Sequence, residues 1–588
     1  YYTLRLDPLD GFREYVRLSF YTTFTSNTML DIQIQAELLV FLDERDPSGQ
    51  QSFIDGLERE VVLGVVTIRP VVRLYAENDY AGVIQHAQRL RQEEPHTLQT
   101  AGGTTEAALN IWEALARIGR AKKEEQDLER AENLLDAAEQ ILSAIVRDES
   151  PVVSEARRWR ARSLLALAHH ARGFGLRVRG QVRPAIDAYR RAAVLWRRVD
   201  VPICLAWTLN NLGFVDSEEG NFAAGQALVE ESLAIRRKLG ARALIGLSYS
   251  TLARVLTLAG DYRSAATSAE RALRLFQAVE YRLGQGLALR NLAEALRRSV
   301  RRDDDPAERV KILREARDYA HAACELFTEM SDRLRQIESL IEEGCALRDL
   351  IGMKRDHPSL LEDDLNTLLQ QSVQALEHAA DLARQTDNVF LQVNACVNIA
   401  YAGLNGERPD IIEKGLAAAR KAIPNDYLIT RHRIPDSSDQ SIQNPQVFNQ
   451  LARIHMLIGH RLFAHYQRLD RSAGNVKDVA QEYARIAESF VDEIPADFQT
   501  VEDCLRYAIR HYALAFENDQ LYMGSDPQYT LSDPGGLRGQ KSVYNQLKDL
   551  SAKELDIVAQ AVRTFEHDYP VGRSAMRDLL ERRALLIE

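Results

Sequence analysis

A group of residues recurs at intervals of 40 between residues 160 and 300, and this periodicity constrains the fold more than any other feature. Three leucines are each followed by a small residue, and three glycines share the same interval: Leu212-Gly213, Leu252-Ala253 and Leu292-Ala293, with Gly180, Gly220 and Gly260. Self-similarity at a fixed period of about 20–50 residues is the signature of stacked repeats. The interval therefore predicts a row of helical hairpins, each packed mainly against its neighbours.

The residues around the glycines indicate how one hairpin is built. Two glycines precede a polar turn residue and then an aromatic residue, in segments 220–222 (Gly-Asn-Phe) and 260–262 (Gly-Asp-Tyr). Glycine accepts the left-handed backbone that ends a first helix, and Asn or Asp can cap the second helix. Small residues seven positions apart, such as Ala265 and Ala272, give the second helix one close-packed face.

Weaker copies of this pattern extend the array in both directions. Segment 77–90 repeats the turn and second-helix pattern. Apolar residues at helical spacing predict further helices over 104–119, 125–147, 155–171, 306–330, 333–352, 362–386, 388–404, 409–422, 446–469, 473–492 and 499–517, with a terminal pair over 550–586. Segments 424–445 and 519–540 are rich in Pro, Gly, Asp and Ser, which predicts two long loops.

These residues resemble the tetratricopeptide repeat (TPR), which has a large residue, Leu and Gly or Ala in its first helix, an aromatic near the turn, and Ala-x6-Ala in its second. The hairpins here are longer than the usual length of about 34 residues. The resemblance implies an all-α fold, a TPR-type α-solenoid in which antiparallel helix hairpins form a right-handed superhelix after a small non-repeat N-terminal segment. The resulting division is 1–70 (non-repeat), 71–150 (degenerate repeats), 151–300 (best-formed repeats), 301–423 (further helix pairs), 424–445 (loop) and 446–588 (C-terminal helices).

Composition and charge narrow the classes of function. The net charge of −11 argues against general affinity for nucleic acid. No apolar run approaches the roughly 20 residues of a membrane span, and no secretory signal opens the chain, so we expect a cytoplasmic protein without a membrane partner. The five cysteines form no CxxC pair, which predicts isolated buried thiols rather than a zinc site or a disulfide framework.

No established catalytic, metal-binding or cofactor motif appears in the sequence, so we predict no catalytic residue, no metal and no cofactor in this chain. The nearest approach to a phosphate loop is GGLRGQKS at 535–542, where Gln540 stands at the position that requires glycine. The histidine pair at 169–170 points about 100° apart on a helix. The remaining notable histidines are five residues apart, which predicts structural roles for His455, His460 and His465.

A tetratricopeptide superhelix lines its concave side with first-helix residues, and the resemblance carries these positions onto this sequence. The implied groove residues are His170, Phe174, Arg177, Trp207, Asn210, Phe214, Ser250, Arg254, Arg290, Glu294 and Arg297. In such a groove Asn can clamp a peptide backbone, aromatic rings supply apolar contact and Arg recognises acidic groups. We therefore predict that the groove binds a peptide, a protein or a small anionic ligand.

Arginine is concentrated next to the best-formed repeats. Twelve arginines lie between residues 157 and 198, and within this stretch only Asp187 opposes them on their own helices. One interpretation is a solvated outer face whose arginines pair with acidic neighbours. The alternative is a site for phosphate or carboxylate, since guanidinium binds both through a bidentate fork.

The first seventy residues do not follow the repeat. "YYTLRL" alternates like a short strand, and "DPLDGFREYVRLSFYTTF" follows it with apolar residues at helical spacing. This segment resembles the end of the winged-helix module of signal-transduction ATPases with numerous domains (STAND), and "ESLAIRRKLGARALIGLSYSTLA" resembles their sensor repeats. In that family a nucleotide-binding domain precedes the repeats, so the resemblance implies an ATPase upstream of Tyr1 in a longer polypeptide.

Three functions remain open from the sequence. The resemblance to STAND proteins implies a ligand-sensing domain that relays binding to the upstream ATPase. A second possibility is a stand-alone adaptor that docks partner proteins, and a third is a regulatory module of a protease or another enzyme. The first predicts a nucleotide-binding domain encoded before Tyr1, whereas the second predicts none.

Overall fold

The computed structural model describes most of residues 68–585, and its longest gaps are 94–102, 436–445 and 524–542. Two compact units divide the chain between Ala295 and Leu296. The first contains α1 (Tyr80–Glu93), α2 (Thr104–Gly119), α3 (Glu125–Arg147), α4 (Glu155–Val178), α5 (Val182–Val199), α6 (Pro202–Glu218), α7 (Phe222–Lys238), α8 (Arg242–Leu258), α9 (Tyr262–Ala278) and most of α10 (Arg282–Ser299).

The second unit is helical in the same way. It contains α11 (Pro306–Glu329), α12 (Arg333–Asp356), α13 (Leu365–Gln385), α14 (Val389–Asn405), α15 (Pro409–Ala422), α16 (Gln446–Leu469), α17 (Val476–Ala487), α18 (Val501–Met523), α19 (Ala552–Asp568) and α20 (Ala575–Arg582). The described residues thus confirm the all-α fold. The predicted strand near Tyr1 and the segment at 535–542 lie outside them.

Helices in each unit form consecutive antiparallel hairpins. In the first unit the hairpins are α2/α3, α4/α5, α6/α7 and α8/α9, and in the second they include α12/α13 and α14/α15. The first helices of successive hairpins also touch each other, as α6 does with α8 and α14 does with α12 and α16. Side chains on successive first helices can therefore meet. Among the described helices, none has the length and apolarity that crossing a bilayer requires.

Close packing inside a hairpin depends on the small residue that follows the repeated leucine. A Cβ atom on Gly213 would lie 2.5 Å from the Gly225 carbonyl oxygen of the second helix. Ala253 and Ala293, at the same position in later repeats, are both buried. The structure therefore explains the small residue after Leu212, because the backbones of α6 and α7 approach too closely there for a larger side chain.

The turns follow the predicted chemistry in part. Gly220 and Gly260 adopt left-handed backbone, with φ of 90° and 82°, and the Asp261 side chain accepts a hydrogen bond from the Ser264 amide at the start of α9. Asn221 does not cap α7. Its amide instead lies 3.4 Å from Asp216 Oδ1 in the preceding helix, so an acidic neighbour competes for the capping side chain.

The two predicted loops begin differently from the expectation. Helix α18 continues to Met523, because Leu521 packs against the core of the second unit, so the first residues of the 519–540 segment are helical. The start of the 424–445 segment is also anchored, since Tyr427 and Ile429 are buried in the same core. The remainder of both segments falls largely in the gaps.

We expect Leu252→Ala to lower the free energy of unfolding by about 2–5 kcal/mol, the range for removing a buried leucine side chain. Leu252 is buried in α8, whereas Leu258 at the end of the same helix is exposed, so Leu258→Ala is the matched control. Hydrogen exchange should locate the lost protection in α6–α9, because each hairpin is held mainly by its neighbours. Equal loss in both units would contradict this expectation.

A second prediction concerns the close approach at Gly213. Gly213→Ala should destabilise α6/α7 by about 1–3 kcal/mol, the usual cost of overpacking. Gly352 is also helical, but its nearest neighbour would be the Asn405 side chain at 3.5 Å. Gly352→Ala should therefore stabilise α12 by about 0.5–1 kcal/mol through the lower backbone entropy of alanine. Denaturant unfolding of both variants checks the two opposite signs.

Candidate functional site

The predicted groove residues of the first unit include a row that joins three successive first helices. Arg177 on α4 and Arg254 on α8 both lie over the ring of Phe214 on α6, with guanidinium carbons 4.5 Å and 4.1 Å from its centroid. Arg177 also donates to the Glu218 carboxylate, with Nε 3.0 Å from Oε2. The ring therefore has a cation over it from each neighbouring hairpin, an arrangement that favours both charges.

Trp207 and His170 form the next contact along α4 and α6. Their ring centroids are 3.7 Å apart. His170 Nδ1 lies 2.9 Å from Thr208 Oγ1, and its Nε2 lies 3.3 Å from the amide nitrogen of Asn211. Burial lowers the pKa of His170 to about 3, so the ring is neutral. The buried His170 ring thus packs against the Trp207 ring, and Trp207 itself is only partly buried.

Three further groove residues are buried, and two of them, Asn210 and Ser250, join successive first helices. Asn210 Nδ2 donates to Thr251 Oγ1 at 2.9 Å, and Ser250 accepts from Asn291 at 2.9 Å. Arg290 in turn donates to Asn291. All three predicted residues, Asn210, Ser250 and Arg290, are buried. Among the described residues no donor reaches Asn210 Oδ1, so this buried acceptor calls for a further hydrogen-bond partner.

The last predicted residues are distributed less regularly. Phe174 is half-buried against the core of the first unit, and Glu294 on α10 is partly exposed. Arg297 belongs to the second unit, where its guanidinium lies 3.0 Å from Glu342 and 3.4 Å from Asp349. The structure therefore groups Arg297 with acidic residues of that unit.

Carboxylates from neighbouring helices compensate much of the arginine-rich stretch. Arg172 lies 2.6 Å from Asp136, and Arg197 lies 2.8 Å from Glu231. Further pairs join the stretch to acidic residues, namely Arg158 and Arg162 with Glu155, Arg179 with Glu132, and Arg183 with Glu219. This geometry favours the interpretation of a paired surface, because acids outside the stretch, most of them on other helices, pair with its arginines.

The second unit contains a related arrangement that the sequence did not indicate. Arg348 on α12 and Arg453 on α16 lie over the ring of Tyr401 on α14, with guanidinium carbons 5.9 Å and 5.4 Å from its centroid. The sequence does contain a pattern that marks these positions. Leu451-Ala452-Arg453 repeats Leu252-Ala253-Arg254, and Ile399-Ala400-Tyr401 corresponds to Leu212-Gly213-Phe214. The register was lost because the hairpins of this unit differ in length.

Three of the buried thiols in the described core share a raised pKa. Burial raises the pKa of the Cys324 thiol to about 11 and those of Cys396 and Cys504 to about 12, so these thiols are protonated near neutral pH. Within the residues that the structure describes, no group of three or more His, Cys, Asp or Glu side chains could hold a metal ion.

Two predicted structural histidines lie in a buried polar cluster of the second unit. His455 Nδ1 is 2.9 Å from His511 Nδ1, and the Tyr483 hydroxyl is 3.1 Å from His511 Nε2. His460 contacts the Tyr512 hydroxyl at 3.0 Å. Burial lowers the pKa of His455 to about 3, with a smaller contribution from Arg510.

Comparison with known proteins identifies repeats in the first unit. The family model of the tetratricopeptide repeat matches residues 204–278, which include α6/α7 and α8/α9. A search of curated protein sequences found no match to the chain.

Several solved structures are similar over long segments. The apo form of RapI is 11% identical with a TM-score of 0.44, covering 78% of this chain and 98% of RapI. A Rap protein complexed with competence and sporulation factor is 15% identical with a TM-score of 0.37, covering 61% and 89%. A STAND protein with a tetratricopeptide repeat sensor from Pyrococcus horikoshii is 14% identical with a TM-score of 0.35, covering 71% and 66%. These likenesses are weak, and the fold rests on the chain's own hairpins and the matched repeats.

The buried histidines predict acid sensitivity of the second unit. The pKa of His455 is lower in the folded chain than its unfolded value of about 6.5, so the unfolded chain binds more protons below pH 6.5. Stability should therefore fall as the pH decreases from about 6.5 towards 3, by up to about 1.4 kcal/mol per pH unit for one such group. His455→Gln should reduce this slope, measured by hydrogen exchange of α16 and α18. The exposed His567→Gln is the control, and an unchanged slope in His455→Gln would contradict the assignment.

Proposed function

Residues 204–278 are tetratricopeptide repeats, and we propose that the chain is a non-catalytic binding domain whose first helices bind a peptide-like or anionic segment of a partner. The ligand lies along α4, α6 and α8 of the first unit. This proposal concerns binding rather than chemistry, and the side chains that carry it come from the repeats themselves.

The row formed by Arg177, Phe214 and Arg254 is the observation that carries the proposal. It brings cationic groups from α4 and α8 over the buried Phe214 ring of α6 and so joins three successive hairpins, and cationic and aromatic groups recur at the centres of protein interfaces. Trp207 lies two turns before Phe214 on the same helix and remains partly exposed. Asn210 lies between them with a buried amide oxygen, which could accept from a ligand backbone after a small side-chain rotation.

A ligand along this row contacts several hairpins at once. Each interface between hairpins can rotate slightly, and a ligand shifts such an equilibrium only through contacts that differ between the two arrangements. Binding would therefore stiffen or reorient the hairpins of the first unit. In a sensor, this change is the signal.

The more specific form of the proposal is a STAND-type sensor that relays ligand binding to an upstream ATPase. Its support is the resemblance of the repeats and of the first seventy residues to that family. A stand-alone adaptor uses the same surface without a relay, and a regulatory module of an enzyme would use it on a catalytic partner. The reading frame before Tyr1 separates these alternatives, since only the sensor requires a nucleotide-binding domain there.

The binding surface can be tested with peptides selected from a random displayed library on the full chain. Trp207→Ala and Arg254→Gln should each weaken binding of the selected peptides by about ten- to a hundredfold, because an aromatic anchor or a charge-assisted hydrogen bond contributes about 1.5–3 kcal/mol. Arg290 is less suitable because it is buried and bonded to Asn291. The control is Arg263→Gln, an exposed arginine on the second helix α9.

Calorimetry measures the affinities, and thermal unfolding verifies that each variant folds. If the Trp207 and Arg254 variants bind the selected peptides as tightly as the unmodified chain, the surface lies elsewhere and the proposal is wrong. A loss that Arg263→Gln shares equally would indicate a general electrostatic effect rather than this row.

A further inference from the structure

Two arginines of the second unit converge on one neutral oxygen. Arg348 Nη1 donates to Asn398 Oδ1 at 2.6 Å, and Arg453 Nη2 donates to the same oxygen at 2.8 Å. The arginines come from α12 and α16, and Asn398 comes from α14 between them. Tyr401, one turn further along α14, places its ring under both guanidinium groups.

The two arginines differ in how their charges are balanced. Arg348 donates to Asp349 Oδ1 from Nε at 2.9 Å and from Nη2 at 2.7 Å. Arg453 Nη1 donates to Asn394 at 2.8 Å and to Gln450 at 2.7 Å, and both acceptors are neutral. Among the described residues no carboxylate lies within ion-pair distance of Arg453. One positive charge therefore remains without an acidic partner beside a second arginine.

The surroundings act on the two pKa values in opposite directions. Burial lowers the pKa of Arg453, and the nearby Arg348 lowers it further. Burial also opposes the charge of Arg348, but the interactions with Asp349, together with Cys345, raise its pKa overall. The contrast follows from the position of the single carboxylate, and an added anion would favour the charge on Arg453.

The first unit contains a related arrangement with its acid in a different place. There the ring of Phe214 also lies between two arginines, and Glu218, four residues after the ring, neutralises Arg177. The residue four positions after Tyr401 is Asn405. Its amide donates to the Arg348 carbonyl oxygen at 2.9 Å and supplies no negative charge. The acid of the first unit therefore lies on the helix that carries the ring, whereas the acid of the second unit is Asp349, next to Arg348.

We propose that Arg348, Arg453, Asn398 and Tyr401 form a binding site for one carboxylate group, supplied by a peptide terminus, an acidic side chain or a small organic acid. A carboxylate accepts hydrogen bonds from a guanidinium group in the same plane. The neutral Asn398 Oδ1 already accepts one hydrogen bond from each arginine at the point where the two guanidinium groups meet. Arg453 and Tyr401 are partly exposed, so a ligand can approach them.

The charge balance favours a carboxylate over a phosphate dianion. Only one arginine of the pair lacks an acidic partner, and the Asp349 carboxylate beside Arg348 would repel a second negative charge. The Tyr401 ring supplies an apolar wall that suits the carbon adjoining a carboxylate. This site belongs to the second unit and does not depend on the proposed surface along α4, α6 and α8.

The site can be tested on the full chain with N-acetylglycinate as the probe and N-acetylglycinamide as its neutral counterpart. At constant ionic strength, N-acetylglycinate should raise the melting temperature of the second unit more than chloride does, because a ligand that binds the folded state stabilises it. N-acetylglycinamide should give no such rise. Inorganic phosphate should act more weakly than the carboxylate at equal concentration.

Three variants connect the response to the site. Arg453→Gln removes the charge that lacks an acidic partner, and Asn405→Glu places an acid at the position that Glu218 occupies in the first unit. Each should reduce carboxylate affinity at least tenfold. Arg384→Gln removes an exposed arginine of α13 that pairs with Asp381 and should leave the affinity unchanged. Circular dichroism establishes that the variants fold. If one of the two site variants does not fold, the other one is sufficient for the test.

Peptides with free and amidated C-termini distinguish the source of the carboxylate. Binding of free-acid peptides at least tenfold tighter than N-acetylglycinate identifies a peptide ligand, and equal binding identifies a small acid; both outcomes support the site. The proposal is overturned if carboxylate acts no more than chloride, if phosphate acts more strongly, or if a folded Arg453→Gln or Asn405→Glu variant keeps the full response.

Discussion

The close contact between the two helices of a hairpin is the constraint on which the other features depend. At Gly213 and Gly225 the backbones of α6 and α7 leave no room for a Cβ atom, since each would meet the other residue's carbonyl oxygen within 2.5 Å. The same approach recurs in α14/α15, where a Cβ on Gly415 would lie 2.5 Å from the Ala400 amide nitrogen. Because this packing fixes where the first helix lies, it also fixes which side chains of successive first helices meet.

That dependence explains how far the sequence could predict the fold. Helix limits followed from apolar spacing, as in Glu125–Arg147 and Gln446–Leu469, since packing of one helix face is a local property of the sequence. The end of α18 at Met523 was missed because Leu521 is held by a distant core. Asn221 failed to cap α7 for a similar reason, since Asp216 of the preceding helix lies close to its amide.

The candidate sites were predictable to a smaller extent. The 40-residue register placed Phe214 and Arg254 on the same face of successive helices, and these residues do meet. The register could not show that His170 and Arg290 are buried, because burial depends on the neighbouring hairpin. It also could not assign acidic partners, which come from residues far along the chain, such as Glu231 for Arg197. A local excess of arginine therefore says little about whether charge remains available.

The two arrangements of arginines around an aromatic ring illustrate this distinction. Their sequence motifs are nearly the same, Leu252-Ala253-Arg254 and Leu451-Ala452-Arg453, yet the acid that pairs with one arginine lies in a different place, Glu218 on the helix of the ring in the first unit and Asp349 beside Arg348 in the second. Removing a guanidinium group from water is costly unless hydrogen bonds and an opposite charge replace the solvent. Glu218 provides that charge for Arg177. Neutral amides around Arg453 satisfy hydrogen bonds but leave its charge uncompensated, which keeps attraction for an anion.

The position of these residues on first helices also determines what an anion would do mechanically. Arg348, Asn398 and Arg453 come from three successive hairpins, so a group held by both arginines adds attraction across two interfaces at once. In a structure held mainly by nearest-neighbour contacts, such a ligand stabilises those interfaces without requiring a change elsewhere. Before binding, repulsion between the two guanidinium groups opposes the approach of α12 and α16 to α14; afterwards the anion removes that opposition. An anion bound at the proposed site would therefore couple recognition of one charge to the stiffness of three hairpins, through contacts that differ between the free and bound states.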